Sequence, residues 1–209
     1  MKKSAGNLYI ISAPSGAGKT SLVKDLLQQE DDIILSVSHT TRAQRPGEED
    51  GVHYHFVDES VFEEIIARDG FIEHAHVFGN HYGTSENHLQ EDLDRGQDVI
   101  LEIDWQGGKQ VKEKFPDCIG IFILPPSRDE LLKRLQNRGQ DSDEIIQGRM
   151  DQAISEVSHY AQFDYLVVND SFEHALAELK AIVHSNRLQY KRQVLDLNNL
   201  ITDLLKASD

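Results

Sequence analysis

Residues 8–20 read Leu8-Tyr9-Ile10-Ile11-Ser12-Ala13-Pro14-Ser15-Gly16-Ala17-Gly18-Lys19-Thr20. The first four are apolar or β-favouring and predict a short buried strand. Leu22, Val23, Leu26 and Leu27 then recur at helical spacing, so the glycine-rich turn joins a strand to a helix. A phosphate-binding P-loop requires this context. Small residues let successive backbone N–H groups curl round an anion at a helix N-terminus, Lys19 reaches the β and γ phosphates, and Thr20 offers its hydroxyl to Mg²⁺. The pattern G-x-x-x-x-G-K-[ST] has one departure, since Ala13 stands at the first glycine. A methyl group is tolerated there only if the backbone stays out of the left-handed region.

The 209-residue chain has room for one sizeable domain with inserted subdomains. Its 21 Lys plus Arg against 36 Asp plus Glu give a net charge of −15. That acidity argues against general nucleic-acid or anionic-membrane binding. The basic groups that a P-loop substrate needs must therefore be concentrated at the site. The single cysteine, Cys118, excludes an internal disulfide and fits a reducing compartment. Lys2 and Lys3 precede an apolar run too short for a signal h-region, and no stretch has transmembrane length, so a soluble cytoplasmic protein is expected.

Further along, Ile33 to Ser38 predicts a second strand, followed by a polar stretch in which Arg42 and Arg45 lie three residues apart before Pro46-Gly47. Gly51 to Val57 alternates and suits a strand. Ser60 to Arg68 predicts a helix, with Ser60 and Glu63 as a capping box and Gly70 as its stop. Phe71 to Phe78 is an alternating strand closed by the turn-like Gly79 to Thr84, and a helix is expected from about Glu86 to Arg95. Val99-Ile100-Leu101-Glu102-Ile103-Asp104 has the form of a Walker B strand, whose carboxylate helps hold Mg²⁺. Cys118 to Leu124 predicts a strand stopped by Pro125-Pro126, with Ser127 and Glu130 capping the next helix. From Arg134 to Arg149 the chain is polar, with Gly139 and Gly148 as flexible points, and suits a mobile lid. Tyr165 to Val168 is the last core strand and 172–192 a long closing helix. Leu197, Leu200, Ile201 and Leu204 then mark a helical face, read as packing back on the domain in preference to a subunit contact that would make a homo-oligomer.

The expected fold is therefore α/β, a P-loop nucleoside-triphosphate hydrolase-type three-layer core around a parallel sheet. Residues 1–38, 86–127 and 158–192 form the core, 39–85 an inserted β-rich acceptor subdomain, 128–157 a helical lid and 193–209 a C-terminal helix. His53-x-His55 and His74-x-His76 have a spacing that can chelate zinc, yet no cysteine or carboxylate set completes either pair.

A P-loop alone implies only a nucleoside triphosphate. Two guanidinium groups at 42 and 45 can converge on a second phosphate, and the hydroxyls of Tyr54 and Tyr82 can join them. With these motifs in hand, the chain resembles the guanylate kinase family. The resemblance rests on Ser12 to Ser21, Ser38 to Glu48, Gly51-x-x-Tyr54-x-Phe56-Val57, Phe71-Ile72-Glu73, Gly79-Asn80-x-Tyr82-Gly83-Thr84, Asp104-x-Gln106-Gly107 and Val167 to Asp170. These run in the family's order over residues 8 to 190. The departures are Ala13 and Glu102, the latter standing where many members carry aspartate.

The resemblance implies ATP and GMP as substrates and Mg²⁺ as cofactor. ATP would lie on Ala13, Pro14, Ser15, Gly16, Ala17, Gly18, Lys19, Thr20 and Ser21, with Asn169 near the adenine. Arg42, Arg45, Tyr54 and Tyr82 would hold the GMP phosphate, while Ser38, Glu73 and Thr84 would face the guanine and Glu102 would touch the nucleotide. Thr20, and Asp104 through water, would hold the metal. Lys19 and Arg42, with Arg138 and Arg149 reaching in from the lid, would carry the catalysis; Arg134 stays open between a lid role and a surface charge. Two other readings are weighed: an inert guanylate-kinase-like binding module and a related P-loop kinase of a phosphorylated sugar. The retained Lys19, Thr20, Arg138 and Arg149 speak against the first, and Ser38, Glu73 and Thr84 against the second.

Overall fold

The computed structural model describes residues 4–77, 79–86, 89–137 and 143–206. In chain order its elements are β1 (Leu8–Ser12), α1 (Lys19–Gln29), β2 (Ile33–Leu35), β3 (His39–Thr40), β4 (His55–Phe56), α2 (Glu59–Ala67), β5 (Phe71–Val77), β6 (Asn80–Ser85) and α3 (Leu89–Asp94). There follow β7 (Asp98–Glu102), α4 (Trp105–Lys114), β8 (Ile119–Leu124), α5 (Arg128–Gln136), α6 (Asp143–Val157), β9 (Tyr165–Val168), α7 (Phe172–Arg187), α8 (Tyr190–Asp196) and α9 (Asn198–Leu204).

The larger sheet has the order β2–β7–β1–β8–β9, all parallel. β1 is buried at every position, and its alternation divides the core into two layers. Tyr9 and Ile11 pack with Leu22, Val23 and Leu26 of α1 and Leu179 and Val183 of α7. Leu8 and Ile10 pack on the opposite face with Leu89, Leu101 and Val111. The register sets Ile11 opposite Glu102 and Ser12 opposite Phe122, so the carboxyl ends of β1, β7 and β8 open at one level. The strand order reverses at β1, and the crevice beyond such a switch point is where open α/β sheets bind ligands.

The smaller sheet, β4–β3–β6–β5, joins β5 and β6 as an antiparallel hairpin. Glu73 and Ala75 of β5 point inward while His74 and His76 are exposed. β5 lies against α4, where the Gln110 side chain bonds both the N–H and the C=O of His74. This seats the second sheet beside the crevice.

Several local expectations are corrected. The predicted strand from Ile33 to Ser38 ends at Leu35, and Ser38 lies in the connection before β3. Only His55–Phe56 of the predicted strand from Gly51 to Val57 is extended, because Gly51 turns the chain with φ +75°. α2 begins at Glu59, with Asp58 at its N-cap, so the Ser60–Glu63 box lies inside the helix. It ends through Asp69, which takes the left-handed conformation expected of Gly70. Asn80–Ser85, read as a closing turn, is the second strand of the hairpin.

α4 was not signalled by the sequence pattern, since Gly107 and Gly108 in its first turn lower helix propensity. The Asp104 carboxylate compensates by accepting the Gly107 N–H at 2.9 Å. Ser127 caps α5 as expected, accepting the Glu130 N–H at 3.1 Å. Gly148 lies within α6, so it is not a break in the lid segment, while Gly139 falls outside the described residues.

The closing helix stops at Arg187 instead of running to 192. Arg187 Nε and Arg192 Nη1 both donate to the buried Asp98, each at 2.7 Å. Residues five apart lie ~140° apart on a continuous helix, so the break at 188–189 lets both reach one carboxylate. α8 is tied to the domain by polar contacts, Arg192 to Asp98 and Asp196 to Ser4, but the apolar face expected to pack back stays exposed. Leu197, Leu200, Ile201 and Leu204 are 41, 54, 36 and 74 % exposed, because α8 and α9 bury none of their residues. No helix among the described residues is long and apolar enough to cross a membrane.

Asp98 also accepts the Asn7 N–H at 2.7 Å, so it ties β7, the chain before β1 and the α7–α8 corner together. Asp98→Ala strands two arginines beside a buried site and is expected to lower unfolding free energy by about 3–5 kcal/mol. Urea unfolding of the variant against the parent protein checks this.

Candidate active site

The loop after β1 bends through Gly16 (φ +93°) and Gly18 (φ +95°), conformations that suit glycine. Ala13 is not among the positive-φ residues, so its methyl group is accommodated. Gly18 is the N-cap of α1 and provides no side-chain cap, and the first turn holds no acidic residue. The helix thus presents unpaired N–H groups and the positive end of its dipole to the crevice.

The loop is braced from behind. A side chain at Gly16 would meet Leu131 Cδ1 at 2.9 Å, and one at Gly18 would meet Asn169 Nδ2 at 2.4 Å. Asn169, expected beside the adenine, is buried with its amide donating to the Ala17 carbonyl at 2.7 Å. Arg134 resolves into a brace as well, with Nη2 donating to the Asn169 carbonyl at 3.1 Å and Nε donating to Glu130.

One solvent-open cleft of about 260 Å³ is lined by Ala13, Pro14, Ser15, Gly16, Gly18, Lys19 and Thr20 on one side. Ser38, Tyr54, Glu73, Ala75, Tyr82, Glu102, Ile103 and Asp104 complete it. Ala17 is buried beneath the loop and Ser21 is exposed beyond it. The Lys19 ammonium lies 4.0 Å from Glu102 and 3.5 Å from the Ile103 carbonyl. The Thr20 hydroxyl donates to Glu102. Asp104 is on the same wall, but its carboxylate caps α4 and accepts from Gln106 Nε2 at 3.1 Å. The structure therefore pairs Thr20 with Glu102 instead of Asp104.

Across the cleft, Glu73 is 3 % exposed and accepts the Thr84 hydroxyl at 2.6 Å. Burial pushes its carboxyl up to about 7, with the nearby Asp104 adding to the rise and Thr84 and Lys19 opposing it. Thr84 is fully buried and Ser38 Oγ lies 3.1 Å from its oxygen. A hydroxyl has one proton, and that of Thr84 is committed to Glu73, so Thr84 orients the carboxylate and does not itself line the cleft. Gly107 has a steric reason: a side chain there would meet Glu73 Oε2 at 2.4 Å.

Arg42 stands at the rim, its Nη2 2.7 Å from Glu48 Oε1 and its guanidinium 5.5 Å from the Tyr54 ring centre. Glu48 also accepts the Arg45 N–H at 2.8 Å. The hydrogen bond from Arg42 holds the Glu48 carboxyl below the usual range. The Arg45 side chain is exposed, and neither arginine lines the cleft. The Tyr54 and Tyr82 rings meet edge to face at 5.9 Å, and burial pushes the Tyr54 hydroxyl up to about 12.

Arg149 is partly buried on α6 and does not line the cleft; Arg138 lies outside the described residues. The sequence pattern gave no sign of Glu156, which accepts the Ser15 N–H from the end of α6 at 3.1 Å. The His55 and His39 rings lie 4.7 Å apart, tilted by 36°, and His53 accepts the Glu49 N–H; no cluster of three His, Cys, Asp or Glu suited to a metal occurs among the described residues.

Residues 5–186 match the family model described as guanylate kinase. A guanylate kinase of Alkalilimnicola ehrlichii is 60 % identical over 200 residues, covering 96 % of this chain and 98 % of the relative. One of Pseudomonas fluorescens is 58 % identical over 205 residues, covering 98 % of this chain and 100 % of its own length. The crystal structure of guanylate kinase from Anaplasma phagocytophilum superposes with a TM-score of 0.77 at 34 % identity, covering 91 % of this chain and 90 % of that one. With a P-loop and a buried carboxylate facing each other in one crevice, and with relatives this similar over nearly their whole length, the chain belongs to the guanylate kinase family.

Proposed function

We infer that this chain transfers the γ-phosphoryl group of ATP to GMP, giving ADP and GDP. The observation that carries the reading is the placement of Glu73, a buried carboxylate oriented by Thr84, in the same cleft as Lys19 and the P-loop. Guanine presents N1–H and N2–H₂ as adjacent donors that one ionised carboxylate accepts together. Adenine lacks the N2 donor and has an unprotonated N1, so it leaves the buried Glu73 with no partner beyond Thr84. Matched bidentate contacts of this kind contribute about 1–3 kcal/mol in base recognition. Ser38 lines the same cleft, and its one proton, given to Thr84 in the free protein, would turn to guanine O6 when the base enters.

The GMP phosphate is assigned to Arg42, Arg45, Tyr54 and Tyr82. Glu48 holds the first of these in place until a phosphate competes for its guanidinium. The acceptor oxygen is already ionised at neutral pH, so the reaction needs no strong general base. What it needs is positioning and neutralisation of spreading charge. Lys19 and the amides of Gly16, Gly18, Lys19 and Thr20 serve the donor, the Ser15 and Ala17 amides being bonded to Glu156 and the Pro14 carbonyl, and Arg42 serves the acceptor. Arg138 and Arg149 are proposed to close from the lid, bridge both and exclude water.

Thr20 and Glu102, already in contact, with Asp104 beside them, form a set of hard oxygen donors that fits Mg²⁺. Mg²⁺ bound there would neutralise phosphate charge. Residues 39–85 are proposed as the acceptor subdomain and 128–157 as the lid. Asn169 is proposed to shape the P-loop, with any adenine contact left to its surroundings.

A coupled assay with ATP and either GMP or AMP tests the reading directly, and equal turnover of the two acceptors would refute it. Lys19→Ala is expected to reduce kcat at least 100-fold while GMP affinity, measured by titration calorimetry, stays within a few-fold. Lowering the pH from 8 to 6 protonates Glu73 in the free protein, so GMP affinity is expected to weaken about tenfold, following the ionised fraction. Glu73→Gln removes that dependence, leaving only the titration of the GMP phosphate, and narrows the advantage of GMP over AMP. Gly107→Ala pushes Glu73 off its position and is expected to raise KM for GMP with little change in KM for ATP, as steady-state kinetics with each substrate varied would show.

A further inference from the structure

Two contacts at the end of α6 play no part in the reading above. Glu156 accepts the Ser15 N–H at 3.1 Å. Two residues past the helix, the His159 ring lies flat on Trp105, with centres 3.5 Å apart and planes 8° from parallel. Gln162 Nε2, 3.0 Å from His159 Nδ1, fixes the orientation of that ring.

Ser15 belongs to the P-loop, and Trp105 directly follows Asp104, which lines the same cleft. The end of α6 is thus tied both to the P-loop and to the first residue of α4. α6 is also joined to α5 through the cluster of Leu131, Leu135, Met150 and Ala153. Leu131 and Leu135 in turn border Gly16 of the P-loop. The two lid helices and the loop therefore touch through an apolar face and one directed hydrogen bond. Burial and the nearby Asp104 both disfavour a charge at Glu156, opposed by Lys19 and the Ser15 N–H, so the group's use here lies in its acceptor oxygen.

We propose that Glu156 is a positioning residue for the donor phosphates: it sets the shape of the P-loop by holding the Ser15 amide from the end of α6. The His159–Trp105 stack makes the same turn the fixed pivot from which Arg149 is carried. The proposal rests on the assignment of the P-loop to ATP.

The test uses the full chain and its Glu156→Asp, Glu156→Gln, Glu156→Ala and His159→Ala variants. KM is measured for each substrate, and Mg–ATP binding without GMP is followed by the emission of Trp105, the single tryptophan. Asp is one methylene too short to reach Ser15, so Glu156→Asp and Glu156→Ala are expected to raise KM for ATP about tenfold, the loss of one hydrogen bond. KM for GMP should stay within twofold. Gln keeps an acceptor oxygen at the same reach and should restore KM for ATP to within threefold. In His159→Ala the change in Trp105 emission on adding Mg–ATP should disappear.

Unchanged KM for ATP in Glu156→Asp, equal rises in both KM values, or rescue by Asp and not by Gln would each overturn the proposal. So would a Trp105 response that survives loss of His159. If Glu156→Ala fails to fold, the Asp–Gln pair still decides. Lys19→Ala run in parallel separates the two readings, since unaltered ATP binding there would fault the P-loop assignment itself.

Discussion

A phosphate cradle is a set of backbone N–H groups kept free of intramolecular partners, and such groups are stable only where the chain around them is held from every other side. Here that requirement shapes the centre of the molecule. Gly16 and Gly18 take left-handed conformations that turn the amides outward. Asn169 bonds the Ala17 carbonyl from below, Leu131 fills the space beside Gly16, and Glu156 holds the amide of Ser15. The braces come from β9 and its following turn, α5 and α6, elements far apart in the chain. The parallel sheet is the frame that brings them to one level.

The facing wall is built on the opposite electrostatic principle. Glu73 is a buried acid, kept near the point where it exchanges a proton at neutral pH by desolvation and by the Asp104 charge. Thr84 gives it one hydrogen bond, and Gly107 leaves it the space to stay. A buried carboxylate with acceptor capacity left over discriminates because the wrong ligand leaves that capacity unmet. The two walls meet over Lys19, the charge that both sides share.

Asp98 performs a structural counterpart at the other end of the sheet, collecting Arg187, Arg192 and the Asn7 amide. Its demand for two arginines breaks the closing helix. The chain leaves that corner as α8 and α9, whose apolar side chains remain in solvent.

Short-range patterns in the chain determined the strand–loop–helix at residues 8–29, the α/β class of the core, the cap at Ser127 and the family to which the motifs point. Those features depend on spacing and capping within a few residues, which a sequence states directly. Of the site residues named from the sequence, Lys19, Ser38, Tyr54, Glu73, Tyr82 and Glu102 lie round one cleft. Only the tertiary structure decided what each does on arrival. Two glycines hid α4 until Asp104 was seen to cap it, and a well-spaced leucine face at 197–204 turned out to have nothing to pack on. The protonation of Glu73, the turning of Asn169 beneath the loop and the reach of Glu156 to Ser15 depend on burial and on partners up to 152 positions away. Such contacts are set by the competition of the whole fold for each polar group, and no local pattern records its outcome.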